Sequence, residues 1–227
     1  MKKTLLHIDA SAGTRNSLSR KLTAGFVGDW RRNNPDGKVV YRDLNADPAP
    51  PYTSDLLEAI YAPKGTELPD RNRDALAISN SLVEEFLAAD AYVFGVPMYN
   101  FTVPGSFKSW IDHVVRIGRT WTKGPKGMEG LVKGRKMLIV STRSGDYGKG
   151  GPREAFDFHE PYLRKVFGMV GIDEIDYLPV INNPAHGDPA ANLEAARVLL
   201  RSIADRWSAG SEADRTDMAR AGEYRMA

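Results

Sequence analysis

Tyr92-Val93-Phe94-Gly95-Val96, followed at once by Pro97-Met98-Tyr99-Asn100-Phe101-Thr102-Val103-Pro104-Gly105, decides how the chain is read. The first five residues carry no charge and do not alternate between apolar and polar, the pattern of a strand covered on both faces. Pro97 and Pro104 bound an aromatic loop. From Phe107 to Ile117 apolar residues then return at helical spacing. Strand, loop and helix in that order suggest one half of a crossover between parallel strands.

The same unit repeats outward in both directions. Further apolar runs lie at Thr4–Ile8, Lys38–Tyr41, Lys136–Val140 and Glu174–Leu178, each about five residues long, the ordinary strand length. Between them, Leu18, Leu22, Phe26 and Trp30 recur at steps of four, and a second stripe from Ala75 to Leu87 passes through Ile78, Leu82 and Phe86. Tyr162–Val170 and Ala190–Trp207 supply two more helices. Alternation of this kind predicts an α/β fold, a doubly wound five-stranded parallel sheet in a single domain over residues 1–207. Residues 208–227 are a tail of acidic, arginine and small polar residues, a frayed helix or a disordered end. Two interior stretches break the rhythm. Asn45–Pro69 is rich in proline, so it reads as loop around a short helix near Asp55–Tyr61. Gly118–Gly134 reads as a long glycine-rich loop with Trp121 embedded in it.

Composition narrows the function. The 227 residues hold 31 Lys plus Arg against 29 Asp plus Glu, a net charge of +2 with no basic run of nucleic-acid-binding length. No apolar stretch approaches the roughly 18 residues of a membrane span, and the opening Met1–Asp9 is too short in its apolar part for a signal peptide. A cytoplasmic protein without a membrane or nucleic-acid partner is expected. The chain has no cysteine, so thiol catalysis and Cys-ligated metal are excluded. His7, His113, His159 and His186 fall in different elements without metal-ligand spacing, and no metal site is expected.

In an open parallel sheet ligands bind beyond the carboxyl ends of the strands, which directs attention to three loops. Asp9–Arg20 runs from strand into helix and carries hydroxyls at Ser11, Thr14, Ser17 and Ser19. They suit a phosphate at a helix N-terminus, or they simply cap the helix. The loop has neither G-x-x-x-x-G-K-[ST] nor G-x-G-x-x-G, which disfavours nucleotide hydrolysis and the usual dinucleotide fingerprint. Val96–Gly105 can lay backbone N–H groups along the edge of a flat ring, or its Met98, Tyr99 and Phe101 can close the core. Ser141–Gly151 has glycines that permit close backbone approach, or that make a surface turn. A phosphate cradle and a flat-ring cradle without a G-x-S-x-G nucleophile or an evident acid–base pair fit a protein whose cofactor carries the chemistry.

At these loops the sequence resembles the FMN-dependent NADH-azoreductase family of flavodoxin-like NAD(P)H:quinone oxidoreductases. The resemblance rests on Pro97-Met98-Tyr99-Asn100-Phe101 with Pro104-Gly105, on Ser11 and Ser17-Leu18-Ser19, on Trp110-Ile111-Asp112-His113 and on Gly118-Arg119-Thr120. It spans about Lys2 to Ala204. It implies tightly bound FMN, with Ser11, Ser17 and Ser19 and the backbone of Leu18 at the phosphate, and Pro97, Met98, Tyr99, Asn100 and Phe101 along the isoalloxazine. Thr142, Ser144 and Gly145 would meet the pyrimidine edge. Ser144 stands where the family often has glycine. The resemblance further implies a homodimer with both chains lining each pocket. It implies ping-pong transfer of two electrons from NADH or NADPH to quinones and azo compounds, with no catalytic side chain. The alternative is a flavodoxin-type electron carrier. Such carriers are typically acidic, and this chain is slightly basic with extra loops at Asn45–Pro69 and Gly118–Gly134.

Overall fold

The computed structural model describes residues 2–125 and 127–209. The tail expected at residues 208–227 therefore lies, beyond Ala209, outside the described residues. Five parallel strands form the main sheet: β1 (Thr4–Asp9), β2 (Lys38–Asp43), β3 (Ala91–Gly95), β6 (Lys136–Arg143) and β7 (Glu174–Ile181). Their order is β2-β1-β3-β6-β7. The chain builds outward from β1 through β2, then crosses back so that β3 pairs with the other side of β1. This reversal opens a crevice beyond the carboxyl ends of β1 and β3.

The apolar runs are continuous because the sheet is covered twice. Successive side chains point to opposite faces. Leu5, Val93, Leu138 and Val140 pack with Leu22, Phe26 and Trp30 of α1 (Leu18–Asn33) and Leu200 and Trp207 of α6 (Pro189–Ser208). Their neighbours Leu6, Ile8, Phe94 and Ile139 pack on α3 (Asp70–Leu87), α4 (Gly105–Val114) and α5 (Glu160–Met169). On that face the rings of Phe94, Phe107, Trp110 and Phe167 are all fully buried and in mutual contact. The two edge strands depart from the expected double cover: β2 is only half-buried, and β7 alternates between buried and part-exposed positions.

The interrupted stretches resolve differently. Around Asn45–Pro69 the short helix forms as α2 (Ser54–Tyr61), capped by Thr53. The helix expected to reach Ile117 stops at Val114. There Thr120 Oγ1 donates to the Val114 carbonyl at 2.8 Å and accepts from the Arg116 N–H at 2.9 Å, which turns the chain out of the helix. The stretch read as a loop over Gly118–Gly134 contains a β-hairpin, β4 (Trp121–Gly124) and β5 (Gly127–Gly130). It docks on the end of α5 backbone to backbone: a Cβ on Gly130 would stand 2.2 Å from the Gly171 nitrogen. The Val132 N–H donates to the Val170 carbonyl at 2.8 Å. Four-residue strands punctuated by glycine give no apolar run, so the periodicity was silent there.

Candidate functional site

All three loops singled out from sequence lie at the carboxyl ends of β1, β3 and β6, beside the crevice. In the β1–α1 loop, Ser17 is the N-cap of α1, its Oγ accepting from the Arg20 N–H at 3.4 Å. Capping does not exhaust this hydroxyl, because its own proton remains to be donated. Ser19 is fully buried, with its Oγ 3.1 Å from that of Ser17, so it backs Ser17 and does not stand at the surface. Ser11 is also buried and accepts from the Gly13 N–H at 3.3 Å, which shapes the turn. Among the described residues the N–H groups of Thr14, Arg15, Asn16, Ser17, Leu18 and Ser19 have no hydrogen-bond acceptor. A run of free donors at the positive end of a helix is what an anion requires.

Beneath the loop sits a charged cluster that sequence reading missed. Asp9 is almost wholly buried across from Gly95, where a Cβ would stand 2.5 Å from Asp9 Oδ1. Its carboxylate accepts from Thr23 Oγ1 at 3.0 Å and from the Tyr41 hydroxyl at 3.2 Å, and His7 Nε2 lies 3.4 Å away. Arg20 makes a two-pronged bridge to Asp43 at 2.7 and 2.6 Å. That bond holds the Asp43 carboxyl below its ordinary range. Burial first, then Asp9, pushes the Tyr41 hydroxyl up to about 12, so it stays protonated as a donor.

In the β3–α4 loop, Tyr99 and Thr102 exchange backbone hydrogen bonds at 2.9 and 3.1 Å. The two residues between them have positive φ, 48° at Asn100 and 73° at Phe101. Positive φ at both central positions makes a type I′ turn, which Asn accepts readily and Phe does not. Strain of this kind persists only where the surroundings hold it. The Phe101 ring lies against Phe156, 5.4 Å between centroids, and Tyr147 at 6.1 Å, and its carbonyl accepts from the Phe158 N–H at 3.1 Å. Tyr99 and Phe101 remain part-exposed, Met98 is half-buried and Pro97 buried. The N–H groups of Asn100 and Phe101 are free among the described residues.

The β6 loop is tied to this turn by the Met98 N–H, which donates to the Thr142 carbonyl at 2.9 Å. Ser144 is exposed and Gly145 buried, with free N–H groups among the described residues. A Cβ on Gly145 would stand 2.7 Å from the Arg153 guanidinium. Behind the loop, buried Arg143 bridges Asp157 at 3.0 Å and donates to the Tyr177 hydroxyl. Tyr177 in turn sits 2.8 Å from His159 Nδ1. Burial, then the neighbouring Arg143 charge, pushes His159 down to about 4, and burial pushes the Tyr177 hydroxyl up. Both are therefore neutral at pH 7 and share one hydrogen bond. Asp157 closes the set by accepting from the N–H groups of His159 and Glu160 at 2.9 and 3.0 Å at the start of α5.

One contact joins the phosphate-like and ring-like parts: the Ala12 N–H donates to the Tyr99 hydroxyl at 3.2 Å. The crevice is thus a single surface with free N–H donors at one end and part-exposed rings beside free N–H groups at the other. A flat ring carrying a phosphate on a short chain fits this donor set. Among the described residues no group of His, Asp or Glu could hold a metal ion, and no helix is long and apolar enough to cross a membrane.

Comparison with known proteins agrees with the geometry. A family profile described as flavodoxin-like fold matches residues 3–202. A protein of Nostoc punctiforme named FMN-dependent NADH:quinone oxidoreductase is 42% identical over 204 residues, 89% of this chain and 98% of that protein. One of Trichormus variabilis, named FMN-dependent NADH:quinone oxidoreductase 1, is 43% identical over 209 residues, 91% of this chain and 98% of its own. The crystal structure of an azoreductase from Bacillus anthracis superposes with a TM-score of 0.84 at 25% identity, covering 90% of this chain and 99% of that one.

Proposed function

This chain belongs to the flavodoxin-like fold family, and on that footing we propose that it is an FMN-dependent oxidoreductase passing two electrons from NADH to quinones and azo compounds. The observation that carries the reading is the Ala12–Tyr99 hydrogen bond, which makes the helix N-terminus and the aromatic turn two ends of one site. FMN, when bound, supplies the chemistry by accepting a hydride and delivering two electrons.

The protein's own work is placement. Ser17 and the free N–H groups through Leu18 hold the phosphate, with Ser19 and Ser11 shaping them from behind. Pro97, Met98, Tyr99, Asn100 and Phe101 would line the isoalloxazine, and the free N–H groups of Asn100 and Phe101 would be available to its polar edge. Thr142, Ser144 and Gly145 serve the pyrimidine side, where donors stabilise negative charge that grows on reduction. Reacting atoms must approach to about 3–3.5 Å, so the pocket takes one planar partner at a time. Donor and acceptor then alternate in ping-pong order.

The enzyme acts as a homodimer in the cytoplasm. Exposed Tyr52, Leu57, Tyr61 and Ile78 offer an apolar face for a second copy. Its folded unit is residues 1–207, with 208–227 as an appended tail. In support of that limit, Trp207 is the last described side chain buried in the core.

The test is direct. Protein reconstituted with FMN under anaerobic conditions bleaches when NADH is added and recovers its colour with a quinone, without a protein partner. Initial rates at several quinone concentrations give parallel double-reciprocal lines. No bleaching refutes the function, and converging lines refute the alternation.

A further inference from the structure

Arg20 is the third residue of α1, a position where the helix dipole disfavours a cation. Its side chain is nonetheless only 12% exposed, and every one of its five N–H donors is used. Two go to the Asp43 carboxylate at 2.7 and 2.6 Å and one to the Tyr41 hydroxyl at 3.1 Å. The other two reach the β1–α1 loop itself: Nη2 donates to the Ser11 carbonyl at 2.7 Å and Nε to the Gly13 carbonyl at 3.0 Å. A bridge that served only to fasten α1 to β2 needs the Asp43 bonds alone. The two loop bonds require another reason.

Peptide geometry supplies it. In a planar trans peptide the N–H points opposite to the C=O. Drawing the Ser11 carbonyl inward turns the Ala12 N–H outward, and that N–H is the one that meets the Tyr99 hydroxyl at 3.2 Å. Drawing the Gly13 carbonyl inward turns the Thr14 N–H outward, and among the described residues it has no acceptor. Residues 12–16 are otherwise exposed, so apart from the Tyr99 hydroxyl at Ala12 these two peptide planes are held by Arg20.

Resting on the FMN reading above, we infer that Arg20 is a positioning residue for the cofactor phosphate. Held by Asp43, it locks the Ser11 and Gly13 carbonyls away from the anion and presets the Ala12 and Thr14 N–H groups, one toward the ring loop and one toward the phosphate. Its charge never touches the ligand. A lysine keeps the charge but lacks the planar fork that reaches two carbonyls and a carboxylate together.

Riboflavin, which has the ring but not the phosphate, separates this role from a general structural one. Apoprotein is titrated with FMN and with riboflavin by flavin fluorescence, for wild type, Arg20→Met and Arg20→Lys, with far-UV circular dichroism as the check on folding. Losing the preset donors weakens FMN binding by about tenfold, and riboflavin, which meets only the ring loop joined through Ala12, by much less, so the preference for FMN falls severalfold. Arg20→Lys remains well short of wild type, and amide hydrogen exchange of residues 12–16 in the apoprotein speeds up in both variants. An unchanged FMN preference in Arg20→Met overturns the inference, as does equal loss of FMN and riboflavin binding, or full recovery in Arg20→Lys. A wild type that binds FMN no better than riboflavin refutes the phosphate cradle itself, and the inference with it.

Discussion

Phe101 offers a measurement of strain at the site. Its φ of 73° lies in the left-handed region, where a side chain bearing Cβ costs roughly 1–2 kcal/mol. Against that stand two ring contacts, to Phe156 and Tyr147, worth about 0.5–1.5 kcal/mol each. Phe101→Ala removes the contacts and keeps the strain. Phe101→Gly removes both, at the expense of roughly 0.5–1 kcal/mol of extra chain entropy. The contact loss cancels between the two variants, so glycine should be the more stable by about 0.5–1 kcal/mol, the reverse of its usual rank against alanine. Urea unfolding of the apoproteins, read as midpoints at a shared slope, gives the difference. An alanine variant as stable as the glycine one refutes the claim that the turn holds Phe101 against its preference. FMN affinity should move oppositely. Glycine frees the turn that aims the Asn100 and Phe101 N–H groups, so Phe101→Gly should bind the cofactor more weakly than Phe101→Ala.

Two further outcomes follow from the other end of the site. Ser17→Ala with Ser19→Ala should weaken FMN binding about tenfold or more, since a hydrogen bond to a charged acceptor is worth roughly 1.5–3 kcal/mol; unchanged affinity in isothermal titration with unchanged helix content removes these serines from the site. The Arg20 bond holds the Asp43 carboxyl below its ordinary value of 3.8, so the clamp's contribution to stability is complete above that pH and is lost as pH falls through the folded value. The gap in unfolding free energy between wild type and Asp43→Asn should therefore be flat above about pH 5 and narrow progressively as pH falls below about 4, and a gap that stays independent of pH through that range, or widens as pH falls, counts against the bridge.

What the sequence made legible follows from what carries a periodic signal. The strands of the main sheet stand out because side chains such as Val93 and Phe94 serve opposite cores, leaving no polar position between them. The hairpin at Trp121–Gly130 has four-residue strands with glycine at three of its ends, so it carries no such signal. The loops were found because ligands gather at the carboxyl ends of parallel strands, and serine-rich or aromatic stretches there stand out. The residues that fix those loops did not. Nothing near Arg20 or Arg143 in the chain marks them, since their partners lie far along it: Asp43 is 23 residues from Arg20, and Tyr177 is 34 from Arg143. Only folding brings them together. The positive φ at Phe101 was equally hidden, because nothing in an aromatic residue announces a left-handed backbone.

These two arginines also explain how loops with so few packed side chains keep their shape. Each turns its guanidinium inward, Arg20 toward Asp43 and Arg143 toward Asp157, and each leaves the crevice to backbone N–H groups. Buried ion pairs are poor sources of net stability, because desolvation offsets most of the attraction. Their value here is geometric. Arg20 holds two loop carbonyls. Arg143 holds Asp157, whose other oxygen starts α5, and Tyr177, which holds His159 beside the Val96 and Pro97 carbonyls. These two positive charges therefore lie behind the loops, one near the serine-rich end and one near the aromatic end, while free backbone N–H groups line the crevice side. A site of that design needs little rearrangement when negative charge develops on the bound ring.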